Sequence, residues 1–175
     1  RFLATPGHHL RPGFDEFVSD SDWLTPTCHF LALKSLHDGA PWWRWPEQVR
    51  RCEIDAVERS RAELADEIMR WSVVLYLFEV QWRTVRAAAA ERGIRILGVI
   101  PIYVAPDSAD VWLNQEQCLL DDDGGLIMQS GVPPDYFSED GQLWGNPLYR
   151  WDVMQADGFS WWLSRLRRSL ELSDI

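Results

Sequence analysis

Positive charge is scarce in this chain: Lys+Arg number 17 against Asp+Glu 27, a formal net charge of −10 over 175 residues. A surface of that sign repels phosphate backbones and anionic headgroups, so neither nucleic acid nor a membrane is an expected partner. Long apolar runs are missing as well, since none approaches the roughly 20 residues that a bilayer span needs. The N-terminal RFLATPGHHL has neither the h-region nor the cleavage site of a secretory leader. The chain therefore reads as cytoplasmic, and its start at Arg1 reads as a processed, trimmed or partial product. Cysteine is sparse: Cys28, Cys52 and Cys118 are odd in number, far apart and without a C-x-x-C pair, which points to buried, reduced thiols. His8 and His9 lie in a Pro/Gly-rich stretch and His29 and His37 flank an apolar helical run, so the sequence offers no converging metal ligands and implies no cofactor. G-x-S-x-G, P-loop and G-x-G-x-x-G patterns are absent, which removes the usual signatures of serine hydrolases and nucleotide binders.

What is present is α/β patterning. Trp23, Phe30, Leu31, Leu33 and Leu36 suit a helix from Asp22 to Leu36, closed by Asp38-Gly39 before Pro41. The tryptophans of WWRWP, Trp42 to Pro46, could stack sugars but are better read as pins that hold a loop onto helices. From Asp55, with Glu58 as a capping-box partner, Val57, Leu64, Ile68 and Trp71 mark one helical face. A second helix is expected from about Val73 to Arg92, with Val74, Leu77, Phe78, Trp82 and Val85 inward and Gly93 as its stop. Ile94 to Ile100 then reads as a strand buried on both faces, which demands parallel neighbours. Leu119 to Met128 reads as a hairpin around Asp123-Gly124-Gly125, and Phe159, Trp162, Leu163, Leu166 and Leu170 as a last helical stripe. One buried strand among so many helices implies a segment of a larger α/β domain.

The stretch GVPPDYFSEDGQLWGNPLYRW, residues 131–151, is of a different kind. Its prolines remove backbone donors and Gly141 and Gly145 break periodicity, so it is expected to be a shaped loop rather than a strand or helix. Tyr136, Phe137 and Trp144 could be platforms for the C–H faces of sugar rings, with Asp135, Gln142 and Asn146 as hydroxyl partners. Equally, the rings could pack on the body of the domain while Asp135 and Asn146 bond their own backbone in turns. A glycosidase also needs two facing carboxyl groups; Asp107 with Asp110, and Asp121 to Asp123, read instead as cap, turn and hairpin-tip residues.

PIYVAPDSADVW (101–112) followed by GVPPDYFSEDGQLWGNPLYRWDV (131–153) resembles the amylomaltase, or disproportionating enzyme, family of 4-alpha-glucanotransferases. ALKSLHDGAPWWRWP, RAELADEI and AAERGIRI are similar to that family in the same order, so the resemblance covers nearly the whole chain. It implies a fragment of a (β/α)8 TIM barrel: a helical insertion over 1–93, a barrel strand over 94–104, an insertion with a glucan-binding loop over 105–153 and a barrel helix over 154–175. It implies transfer of an α-1,4-glucan segment to the 4-hydroxyl of another sugar through a covalent glycosyl-enzyme, without metal or organic cofactor. Asp135, Tyr136, Phe137, Trp144 and Asn146 fall in the family's substrate-binding loop, which arches over bound α-1,4-glucan. The family's nucleophile motif R-I-D-H and its acid/base Glu are not among these residues, so no catalytic residue is assigned and the chain alone is expected to be inactive. A non-catalytic glucan-binding module and a truncated remnant are the alternatives. Val99 stands where the family has Asp, Gln115 and Cys118 where it has Pro and Phe, and Glu79 where it has an aromatic residue. A buried, unpaired Glu79 would cost several kcal/mol or be protonated; together these departures suggest a partial or degenerate copy.

Overall fold

A computed structural model describes residues 8–175; Arg1 and most of the stretch tested for a leader lie outside the described residues. The helices are α1 (Arg11–Asp20), α2 (Leu24–Leu36), α3 (Glu47–Arg50), α4 (Ile54–Glu63), α5 (Ala65–Ala90), α6 (Ala109–Leu113), α7 (Trp151–Ala156) and α8 (Ser160–Leu172), and β1 (Gln129–Val132) pairs with β2 (Gln142–Pro147).

The helical part departs from the sequence expectation in three places. α1 forms in the stretch read as merely Pro/Gly-rich, because Pro12 falls in its first turn, where no backbone donor is needed. Gly13 then lets Tyr76 approach: a Cβ there would meet the Tyr76 hydroxyl oxygen at 2.5 Å. The expected break near Ser72 is absent; it falls instead at Leu64, which packs against both hydrophobic clusters, and α5 runs on for 26 residues. Glu53, not Asp55, precedes α4, and no side-chain cap bond forms there. Gly93, at φ 69°, does end α5, through Gly93 N–H to Ala90 O at 2.9 Å.

α5 also faces the other way. Ile68, Ser72, Tyr76 and Glu79 are buried while Val74, Leu77, Phe78 and Val85 are exposed; of the expected inward set, Trp82 is half-buried and donates its Nε1–H to Leu172 O at 2.9 Å. The inward face tolerates its polar residues because each has a partner. Ser72 donates to Ile68 O at 2.9 Å, and Glu79 accepts from Arg168 at 2.6 Å and Arg83 at 3.0 Å. Burial alone would raise the Glu79 pKa, but Arg168 and then Arg83 outweigh it and hold the carboxyl below its ordinary range. The expectation of an unpaired carboxylate is therefore corrected.

Ile94 to Ile100 forms no ladder, and Ile94, Leu97 and Val99 are exposed. A parallel strand is buried only when neighbours and covering helices supply both faces. Here the C-terminal residues 173–175 lie alongside it, through Asp174 N–H to Ile96 O at 2.9 Å and Gly98 N–H to Ile175 O at 2.8 Å, with Ser173 against Gly98. The expected hairpin at Leu119 to Met128 shrinks to one bridge, Leu120 with Leu126, because Asp121 Oδ1 gathers the N–H groups of Asp123 and Gly125 into a turn. The two-stranded ribbon lies in the stretch read as a loop, and Gly131, Gly141 and Gly145 build it rather than break it.

Two cores hold the chain together. One gathers Trp42, Trp45 and Trp112 with Phe30, Leu33 and Tyr149; the other gathers Phe14, Phe17, Leu24, Cys28, Ile68 and Tyr76. WWRWP does pin its loop: Trp42 donates its indole N–H to Pro106 O at 2.8 Å and Trp45 to Ala40 O at 3.0 Å. Lys34 and Asp107 join the same junction at 2.6 Å. This junction fixes residues 101–108, from which the ribbon is moored.

Candidate functional site

The ribbon is tied down at its base and shaped at its tip. Asn146 donates its amide to Val104 O at 2.8 Å and accepts from the Ser130 hydroxyl at 3.4 Å, while the Tyr149 hydroxyl donates to Ile102 O at 2.9 Å. Between the pairs Gln129–Pro147 and Gly131–Leu143, Trp144, Gly145 and Asn146 stand opposite Ser130 alone. This is a bulge, made possible by Gly145 at φ 71°, and bulges re-aim the side chains they carry. Trp144 is 47% exposed, its Nε1–H bonded to Gln142 Oε1 at 3.0 Å and its ring 6.3 Å from that of Tyr103.

At the tip, Asp135 Oδ1 accepts from the N–H groups of Phe137 and Ser138, both at 2.9 Å, and the Ser138 hydroxyl donates to Gly141 O at 2.7 Å. Gly141 sits at φ 73°, and a Cβ there would meet Val132 O at 2.5 Å. Polar bonds and Gly141 thus shape the tip, and the rings of Tyr136 and Phe137 stand 96% and 88% exposed, edge to face with centroids 5.6 Å apart. The five candidates fall into two groups, in which Asp135 and Asn146 are engaged with backbone whereas Tyr136, Phe137 and Trp144 present ring surface. Tyr103, which the sequence reading did not single out, backs Trp144; its place in PIYV next to the loop match was the available signal.

The other acidic candidates are engaged in structure. Asp107 binds Lys34 and accepts from Trp42 N–H at 3.3 Å, and Asp110 accepts from Trp161 Nε1–H at 3.0 Å. Among the described residues no group of three or more His, Cys, Asp or Glu could hold a metal ion. The thiols are free and inert at neutral pH: burial raises Cys28 and pushes Cys52 up to about 11 and Cys118 to about 12. His29 is buried beside Ser60 at 2.9 Å, and burial, with the charge of Arg61, lowers its pKa to about 4. No helix among the described residues is long and apolar enough to cross a membrane. A groove of about 710 Å³ runs between Trp23, Val99, Pro101 and Arg165, away from the ribbon's rings.

The arrangement matches known proteins over nearly its whole length. The chain is 49% identical over 150 residues to a 4-alpha-glucanotransferase of Thermus thermophilus, covering 86% of this chain and 30% of that protein. It is 41% identical to the chloroplastic/amyloplastic 4-alpha-glucanotransferase of Solanum tuberosum, covering 99% of this chain and 31% of that one. Among solved structures, the amylomaltase from Streptococcus agalactiae in complex with acarbose superposes with a TM-score of 0.91 at 34% identity, over 99% of this chain and 35% of that one. The chain thus spans about a third of the length of the relatives it matches, and its fold is that of a segment of the (β/α)8 amylomaltase domain. With the model for the family described as 4-alpha-glucanotransferase matching residues 2–175, ribbon and helices together, the chain belongs to that family.

Proposed function

We propose that these residues form the glucan-holding part of a 4-alpha-glucanotransferase that moves α-1,4-glucan segments between malto-oligosaccharides or starch chains with retention of configuration. The observation that carries this is the pair of rings at the ribbon tip, Tyr136 and Phe137, exposed above a backbone that polar bonds and Gly141 already hold in shape. Large rings kept out of a core mark a contact surface, and a flat apolar face suits the C–H side of a sugar ring. Tyr136, Phe137 and Trp144 supply the platforms; Asp135 and Asn146 keep them in place and line the binding segment. A lid of rings over the intermediate favours a sugar hydroxyl over water as acceptor.

The same proposal keeps the helical part at 1–93, the stretch at 94–104 as a barrel strand that forms only beside parallel neighbours, the insertion at 105–153 and the helix at 154–175, and a cytoplasmic setting without nucleic-acid or membrane partners. The catalytic carboxylates are not assigned within these 175 residues, which by themselves bind glucan and do not transfer it. Incubation of the purified chain with maltotriose should give no longer oligosaccharides. Calorimetric titration with maltoheptaose should give saturable binding that Tyr136→Ala weakens roughly 5- to 30-fold, about 1–2 kcal/mol of stacking. Binding indifferent to Tyr136→Ala and Trp144→Ala would overturn the lid reading.

A further inference from the structure

We infer that Gln142 is a positioning residue for the Trp144 platform, holding the indole in one orientation before any sugar arrives. The inference rests on the glucan reading of the ribbon and adds to it the device that orients the ring. Trp144 sits on the β2 bulge beside Gly145, where the ladder bonds that would steady a strand residue are interrupted. Its ring is half exposed, and its neighbour Tyr103 lies at a centroid distance of 6.3 Å and a tilt of 58°, towards the far end of the range for ring contacts. The indole N–H can only donate, and Gln142 Oε1 accepts from it at 3.0 Å. Gln142 is itself held by the sheet, paired with Val132 just outside the bulge. The acceptor therefore stands on regular ladder and the platform on the irregular part, and the bond transmits the order of one to the other. A ring oriented in advance spares the ligand the ordering of the indole's two side-chain torsions, which corresponds to about two- to tenfold in affinity.

The test uses the 175-residue chain with 15N-labelled tryptophan, the Trp144 indole signal being assigned by its loss in Trp144→Phe. Gln142 is exposed, so Gln142→Met, similar in length but without an acceptor, should melt like the wild type. It should shift the Trp144 indole N–H signal and speed its exchange with water while leaving the other indoles in place, and should weaken maltoheptaose binding two- to tenfold. Gln142→Glu, which keeps an acceptor oxygen, should restore both. An unchanged indole signal in Gln142→Met, or weakened binding that Gln142→Glu does not rescue, overturns the proposal. Binding that Trp144→Ala abolishes and Gln142→Met leaves intact also overturns it while sparing the lid reading. A wild-type chain that binds no maltoheptaose sinks the lid reading and takes this proposal with it.

Discussion

The pair between Glu79 on α5 and Arg168 on α8 should be worth several kcal/mol when broken and almost nothing when replaced. Their side chains are 8% and 23% exposed, with Arg168 Nη2 at 2.6 Å from the Glu79 carboxylate. Removing one partner of a buried pair costs about 3–5 kcal/mol, because it strands the other charge. Arg83, mostly solvent-exposed, still reaches Glu79 at 3.0 Å and softens that loss. Arg168→Met should therefore cost about 2–3 kcal/mol, plus about 0.5–1 kcal/mol for the guanidinium lost from the Trp23 ring 4.9 Å away. Glu79→Leu should cost about 2 kcal/mol, because it strands Arg168 with only the exposed Glu171 as an acidic partner. The double replacement Glu79→Leu with Arg168→Met removes both charges and should come back to within about 1 kcal/mol of the wild type. Urea unfolding of the four proteins at pH 7 gives a double-mutant cycle, and a coupling energy below about 0.5 kcal/mol would refute the reasoning. The pH dependence has a definite sign: a carboxyl whose folded pKa is depressed stabilises above its ordinary value of 4.5, and the coupling fades as pH falls through the lower folded value.

His29 should make the fold acid-sensitive earlier than its carboxylates do. Its pKa falls from 6.5 to about 4 on folding, so the unfolded chain takes up a proton first and stability declines as pH drops from 6.5 to 4, by about 3 kcal/mol in total. Urea unfolding across that window should show this slope in the wild type and not in His29→Gln, and equal slopes would contradict it. Gly141→Ala forces a side chain into left-handed backbone and against Val132 O, costing about 1–3 kcal/mol locally. Hydrogen exchange at the Phe137 and Ser138 amides should accelerate tenfold or more, and unchanged protection would show that the tip is not held by that turn.

How far the sequence could be read depended on whether a residue's partner was local. The stop at Gly93, the pinning by Trp42 and Trp45, and the turn made by Asp135 all follow from chemistry within a few residues, or from rings too large to leave in water. α1 was missed because Pro12 and Gly13 argue against a helix unless one knows that Pro12 falls in the first turn and that Tyr76, far along the chain, needs the space over Gly13. The inward face of α5 was misjudged because periodicity locates a stripe without saying which stripe finds a partner: Glu79 looks like an intruder until Arg168 is placed opposite it. The ribbon was missed for a related reason, since glycines that break a regular strand are what a bulge and a tight tip require. The five site candidates were legible as residues, but not their division into rings that face outward and polar groups that hold the backbone.

The departures from the family pattern take on a different meaning once their surroundings are known. A copy drifting free of constraint accumulates polar residues without partners, because compensation needs a second residue on another element. Glu79 has Arg168 and Arg83, and Gln115 donates to Arg50 O at 2.7 Å and Trp112 O at 2.9 Å, tying the turn after α6 to α3. Cys118 is buried in the main core and Leu119, next to it, bonds Leu148 O at 2.9 Å. Three of the four departures are therefore built into the packing and argue against a degenerate fold. Val99 is the exception: it is 82% exposed and lines the groove beside Pro101 and Trp23 without being needed by either core. Nothing in the fold asks for valine there, so Val99→Asp should leave the free energy of unfolding at pH 7 within about 0.5 kcal/mol of the wild type. A loss of about 2 kcal/mol or more would mean that position 99 is structural after all.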